Sequence, residues 1–161
     1  MTLPKDLKST SYRFYKTLNE DVKLTSNEYG EWDIVWDDLS NDWLNCDGFD
    51  SLRNACVIAI LTRFKELIIG ETSESPPYEN FGCRIHELIK KNKGRQVEYQ
   101  MELFVLETLH DMRRVKTVHW VNITDNPDNN YYNYRVDFCI TPIEDELTES
   151  TTEVIEGGLY I

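Results

Sequence analysis

The chain has 161 residues, enough for one ordinary domain with a single hydrophobic core. Its 29 Asp and Glu residues outnumber its 17 Lys and Arg residues, and the resulting net charge of -12 argues against a nucleic-acid groove, which needs clustered cations. No apolar run approaches the roughly 20 residues that span a bilayer, and no signal-peptide core opens the sequence, so we expect a soluble intracellular protein.

The N-terminal part of the chain predicts an arm followed by a strand. Residues 1–28 have a mixed, polar pattern that indicates an extended arm packed on another surface. The core domain is predicted over residues 29–141, and it opens with a strand at 29–36 in which Trp32, Ile34 and Trp36 alternate. Residues 37–49 are rich in Asp and Asn and predict a loop.

Helical spacing dominates the middle of the sequence. A first helix is predicted from Asp50 or Ser51 to about Ile69, because apolar residues form a broad stripe that ends at a glycine. A short helix is predicted over 83–91 and a long one over 95–112. On the long helix, Thr108 is the one polar interruption of the apolar face.

Between the two longer helices lies a corner, Pro77–Leu88, that we expect to act as a docking hinge. Pro77 fixes its own φ angle, and Gly82 tolerates backbone angles that other residues resist. An extended approach followed by a tight bend is therefore predicted, with Phe81 and Gly82 setting the angle between the helices.

Two strands and a tail complete the chain. Strands over 115–124 and 131–141 are joined by a segment rich in turn residues and predict an antiparallel hairpin. The tail, 142–161, is acidic and weakly apolar, so we expect a partner to capture it. The predicted fold class is α+β, with helices packed on a small antiparallel sheet and extended N- and C-terminal arms.

The order of these pieces resembles the lysozyme-like wedge proteins of contractile phage tails, whose relatives occur in tailocins and type VI secretion baseplates. The resemblance covers about residues 29–141. It rests on a Gly-x-x-Asp strand start at Gly30, a helix that carries Leu61-Thr62, the Phe81-Gly82 turn, a short helix, a long helix and a strand pair. The family's Glu-Pro-Arg motif falls on Met112-Arg113-Arg114, where only Arg114 matches.

The resemblance implies a structural virion protein, not an enzyme, that needs no cofactor and no metal. Such a protein joins the inner wedge of a symmetric baseplate, and its strand pair offers a template to the tail sheath protein. Its partners would be other wedge subunits and the sheath, with no nucleic acid and no membrane, and it would assemble in the host bacterial cytoplasm.

The residues expected to contact partners fall at the corner, in the second strand and in the tail. The second strand and the tail are the predicted exposed edge for an incoming strand. Arg114 could clamp a partner carboxylate or complement the helix dipole, whereas Arg113 fits the dipole role better. The full set of expected partner-binding residues is Phe81, Gly82, Arg114, Tyr132, Tyr134, Phe138, Leu159 and Tyr160.

Three other site hypotheses stay open at this point. A muralytic glycosidase would need a carboxyl pair, for which Glu79 and Glu87 are the candidates. A sugar- or protein-binding module could be built on tryptophans, and a metal could bind two residues three apart on the short helix if distant His and Cys residues joined them. The tryptophans are Trp32, Trp36 and Trp43, and the possible metal ligands are Cys83 and His86 with Cys56, His110, His119 and Cys139. The four cysteines lack a CxxC pair and are expected to be reduced thiols.

Overall fold

The protein has an α+β fold, as the sequence predicted. A computed structural model describes residues 20–27, 31–67, 80–91, 93–125, 134–143 and 154–161. In these residues two α-helices, α1 (Gly48–Leu61) and α2 (Arg95–His110), accompany nine short or medium strands. Of the described helices, none combines the length and the apolar character that crossing a bilayer requires.

The main sheet has three antiparallel strands, β7 (Val115–Asp125), β8 (Tyr134–Pro142) and β9 (Ile155–Tyr160), in the order β7-β8-β9. The predicted hairpin is confirmed as the β7-β8 pair. Strand β8 is the central strand, with a hydrogen-bonded neighbour on each side, and it is buried almost throughout. Such a strand cannot serve as an edge.

Two register shifts in the β7-β8 pair interrupt the alternation of side chains along β7. The register moves between Val115 and Thr117 and again between Val118 and Trp120, so Lys116 and His119 are extra residues in the ladder. Each extra residue reverses the face on which the following side chains lie. The inward-facing pattern of β7 is therefore broken twice within its first half.

The hydrophobic core lies between the two helices and the sheet. Helix α2 packs on β7, and α1 packs near β9. The periodic residues of the predicted long helix are confirmed as its buried side, and the largest fully buried side chain is that of Tyr134. The core is formed mainly by Leu52, Val57, Ile60, Ile85, Met101, Val105, Leu109, Val136, Phe138, Ile140, Ile155 and Leu159.

Two helix predictions need correction. Helix α1 ends at Leu61, well before Ile69, because Lys65 adopts a left-handed φ of 63° and the backbone after the helix bonds to another segment. The predicted short helix is a single 3₁₀ turn, Arg84–Glu87. Its amide bonds reach three residues back, as from Leu88 to Ile85, so no α-helical ladder forms.

The predicted loop over 37–49 contains two short strands, and the described part of the predicted strand over 29–36 is divided between two others. Strands β1 (Glu20–Val22) and β6 (Asn45–Asp47) pair, as do β2 (Leu24–Ser26) with β3 (Trp32–Ile34) and β4 (Trp36–Asp37) with β5 (Asp42–Trp43). All three pairs are antiparallel. Part of the predicted arm, residues 20–26, thus belongs to this unit, while the earlier arm residues lie outside the described part of the chain.

The three strand pairs meet at a closed ring of backbone hydrogen bonds. The amide of Lys23 donates to the carbonyl of Leu44 at 2.7 Å, the amide of Leu44 to Val35 at 2.8 Å, and the amide of Val35 to Lys23 at 3.0 Å. We call this ring the three-way junction, because Lys23, Val35 and Leu44 each lie between strands of two different pairs. The junction is anchored to α1 through Asn54, whose side-chain amide donates to the carbonyl of Val22 at 3.1 Å.

The C-terminal tail was expected to be captured by a partner, but its last part is strand β9 of the chain's own sheet. Gly157 faces the ring of Phe138 across the β8-β9 pair, and Gly158 faces the carboxylate of Asp137. A Cβ at Gly157 would lie 2.9 Å from two ring carbons of Phe138. The two glycines therefore make room for β8 side chains, and removing the tail would uncover the core.

Candidate functional site

A cleft of about 1130 Å³ brings together three of the predicted partner-binding residues, Phe81, Gly82 and Arg114. They come from the corner and from the end of α2, which are distant in sequence. The cleft has an apolar floor and a charged rim. Its apolar residues include Ala59, Phe64, Phe81, Phe104 and Met112, and its charged residues are Arg84, Glu107, Asp111, Arg113 and Arg114.

The corner is fixed to the end of α1 by backbone hydrogen bonds. The amide of Cys83 donates to Thr62 at 2.8 Å, and the amides of Phe64 and Lys65 donate back to Cys83 and Phe81 at 3.2 and 3.0 Å. Gly82 has a φ of 102°, and a Cβ there would lie 2.7 Å from the carbonyl carbon of Arg63. Only glycine fits both the angle and the close approach.

Arg84 ties the 3₁₀ turn to helix α2 on one side of the cleft. Its guanidinium makes a two-point contact with the carboxylate of Glu87, at 3.1 and 3.2 Å, and lies 4.6 Å from the centre of the Phe104 ring. The bonds with Glu87 raise the pKa of Arg84 and lower the pKa of Glu87. Sequence reasoning missed Arg84 and Phe64, and for Arg84 the available signal was the Arg-x-x-Glu spacing.

The two arginines after α2 have different environments. Arg114 is half-buried, and one of its guanidinium nitrogens lies 3.5 Å from the hydroxyl of Ser51. Burial raises the pKa of the nearby Cys56 thiol to about 12, and the positive charge of Arg114 acts in the opposite direction and lowers that pKa. Arg113 is exposed. Thr108, the predicted interruption of the apolar face, lines the cleft and donates its hydroxyl to the Phe104 carbonyl at 2.8 Å.

The tryptophans divide into two groups. Trp36 and Trp43 form an edge-to-face pair with ring centres 5.0 Å apart on the β4-β5 hairpin, and about half of each side chain is exposed. Trp32 lies half-buried against the core. The rings of the pair are almost perpendicular, at 89°, so they do not present a flat platform for stacking a sugar ring.

The sheet leaves one side of β7 without a strand neighbour among the described residues. After the second register shift, Trp120–Asp125 pairs regularly with β8 and has mostly exposed side chains. The far edge of β9 is partly covered, because Arg53 of α1 donates to the Glu156 carbonyl at 3.0 Å. Strand β7 therefore has the more accessible edge. The prediction that β8 forms an edge is wrong, whereas the tail does supply an edge strand, β9, which Arg53 partly covers.

Several predicted partner-binding residues face the core instead. Tyr134, Phe138 and Leu159 are almost wholly buried, so their side chains cannot meet a partner in this fold. Tyr160 is half-buried, and its hydroxyl accepts a hydrogen bond from Arg135 at 3.3 Å. Tyr132 lies outside the described residues.

The residues proposed for catalysis or metal binding have other roles where they are described. Glu79 falls outside the described residues, and the lowered pKa of Glu87 is opposite to the shift that a general acid needs. Cys83 is buried, which raises the pKa of its thiol, and His86 contacts the Ile60 carbonyl at 3.0 Å. Within the described ranges no three His, Cys, Asp or Glu side chains cluster as metal ligands.

Comparison with known proteins adds no relative. No protein-family model matches the sequence, and no curated protein matches it significantly. The surfaces from which a function can be inferred are the cleft, the tryptophan hairpin and the β7 edge.

Proposed function

We propose that this chain is a structural component of a contractile-tail baseplate that offers a strand edge to the sheath protein. The observation that carries the proposal is the accessible edge of β7 over Trp120–Asp125. An exposed edge presents unpaired backbone amides and carbonyls, and an extended segment of another chain can satisfy them. The edge replaces the β8 edge that the sequence had suggested.

The order of elements supports the same proposal. A helix, a Phe-Gly corner, a short helical turn, a long helix and a strand pair follow one another, as in the wedge proteins that the sequence resembles. The regular β7 segment holds six residues, which is a typical length for a strand. A structural role in assembly also needs no acid-base pair and no metal.

Electron microscopy of the particles tests the proposal. The gene is deleted from the genome that encodes the chain and is supplied again as wild type or variant. We expect deletion to give particles without a polymerised sheath and wild type to restore it. Asn122 and Thr124 are both exposed on strand β7. The double variant Asn122→Lys/Thr124→Lys adds two charges to this edge strand, where lysines disfavour pairing with another strand, and it should not restore the sheath.

A matched variant separates the edge from the added charge. Gln96→Lys/Gln100→Lys adds the same charge at exposed positions of α2 and should restore normal sheaths. Normal sheaths with the edge variant would refute the role of β7. Clearing of peptidoglycan by the purified protein, lost in Glu87→Gln, would refute the structural function itself.

A further inference from the structure

The β4-β5 hairpin carries an apolar tip that the described residues of the chain leave uncovered. Leu39 at the turn is 97% exposed, and the rings of Trp36 and Trp43 behind it are 46% and 49% exposed. We name residues 36–43 the knob. None of them lines the cleft, so the knob and the cleft are separate surfaces of the molecule.

The knob is held in one conformation by its turn. The carboxylate of Asp37 accepts hydrogen bonds from the Ser40 hydroxyl at 2.7 Å and from the amides of Leu39 and Ser40 at 3.2 and 3.3 Å. Asn41 has a left-handed φ of 53°, which asparagine tolerates better than most residues. A preorganised tip loses little conformational freedom when it binds, so this geometry favours docking.

The knob is acidic, and the cleft presents an arginine at its rim. Between residues 24 and 52 the sequence has eight Asp or Glu residues and no Lys or Arg. The cleft is lined by three arginines and two carboxylates; Arg84 is already paired with Glu87, so the exposed Arg113 is the cation that an acidic partner would meet. Its aromatic floor and its volume of about 1130 Å³, somewhat above the range of about 300–1,000 Å³ for small-molecule sites, leave room for a bulky apolar tip.

We propose that the cleft of one copy of this chain binds the knob of a second copy. The two surfaces differ, so the contact is heterologous and copies join head to tail into a ring or an open chain. Leu39 and the tryptophan pair would enter the apolar floor, while Asp38 would lie near Arg113 at the rim. This inference goes beyond the proposed function and stands or falls independently of it.

Sedimentation velocity of the full chain at rising concentration tests self-association. The wild type should grow above its monomer mass of 19.0 kDa as concentration rises. Leu39→Ser removes the exposed tip without disturbing a buried contact and should weaken association at least about tenfold. A wild type that stays monomeric at every concentration would overturn the proposal.

A charge exchange identifies the surfaces that meet. Asp38→Lys and Arg113→Glu should each weaken association about tenfold or more, because each brings like charges together. The double variant Asp38→Lys/Arg113→Glu restores opposite charges and also keeps the wild-type net charge of -12, so recovery cannot come from net charge. Lys90→Glu, exposed and outside the cleft, changes the charge as Arg113→Glu does and should have little effect.

The salt dependence of the charge variants gives an independent readout. Added salt screens the repulsion between two copies of charge -12 whichever surfaces meet, and at the proposed contact it also screens the attraction between Asp38 and Arg113. The factor by which Asp38→Lys or Arg113→Glu weakens association should therefore shrink as salt is added. Single charge variants that associate as tightly as the wild type at low salt would overturn the proposal and point to a different surface.

Discussion

Replacing Gly82 by alanine should destabilise the whole domain through the corner between the helices. The residue has a φ of 102°, a conformation that alanine rarely adopts. The new methyl carbon would lie 2.7 Å from the Arg63 carbonyl carbon and 2.9 Å from the Phe64 amide nitrogen. Both neighbours are backbone atoms, so neither can move aside by a change of rotamer.

The cost follows from these two effects. A non-glycine residue in a sparsely populated backbone conformation costs about 1–3 kcal/mol, and inserting a methyl group into a closely packed site costs about as much again. The sum is about 2–6 kcal/mol, a large part of the 5–15 kcal/mol by which a domain of this kind is usually stable. The bonds from Cys83 to Thr62 and from Phe64 to Cys83 would be the first to lengthen.

Urea unfolding measures the effect. With a slope of about 2 kcal/mol per molar urea, a loss of about 4 kcal/mol moves the midpoint down by about 2 M. Gly94→Ala is the matched control, because Gly94 is extended at a φ of 168° and nothing lies within 4 Å of a new Cβ. It should change stability by less than about 1 kcal/mol. Equal midpoints for Gly82→Ala and the wild type would refute the reasoning.

Three further predictions concern strand β9, a buried thiol and the knob turn. Gly157→Ala should cost about 1–3 kcal/mol, because its methyl group meets the Phe138 ring, and the added change Phe138→Leu should recover part of the loss in the same urea assay. Burial raises the pKa of Cys56 to about 12 from 9.0, so the folded state keeps a proton that the unfolded state loses, and stability should fall as pH rises above 9.0. That fall is up to about 1.4 kcal/mol per pH unit from this thiol, and Cys56→Ala should show a shallower pH slope. The hydrogen bond from Ser40 lowers the pKa of Asp37, so an NMR titration should place its midpoint below 3.8, and the turn should loosen only as pH falls through that midpoint. A midpoint in Ser40→Ala identical to that of the wild type would contradict the assigned cause.

The parts of the fold that the sequence predicted well are the long elements. Helix α2 has 16 residues and repeats the buried Met101, Val105 and Leu109 at four-residue spacing, and β7 and β8 are strands of 11 and 9 residues. The three-way junction escaped prediction because its strands hold only two or three residues each. Strand β9 escaped prediction because Gly157 and Gly158 are poor strand formers by propensity, and only the Phe138 ring and the Asp137 carboxylate of β8 explain them.

The sequence predicted only part of the candidate site. Gly82 stood out because a glycine in a Phe-Gly corner indicates an unusual backbone angle, and Arg114 stood out through the resemblance. Tyr134 and Phe138 were misassigned, since a single hairpin offers an edge that a later strand can cover. No local pattern in the sequence predicts that the strand Ile155–Tyr160 covers the edge of β8.

The ring of bonds joining Lys23, Val35 and Leu44 uses main-chain atoms alone. Mutation of side chains along the β2-β3 and β4-β5 hairpins therefore leaves this three-way junction intact, provided that the backbone can still adopt the same conformation. The two hairpins can change in sequence and length, while the three-way junction and helix α1 keep them attached to the core in the same orientation. Natural selection could in this way retarget the tip towards a new binding surface at little cost to folding.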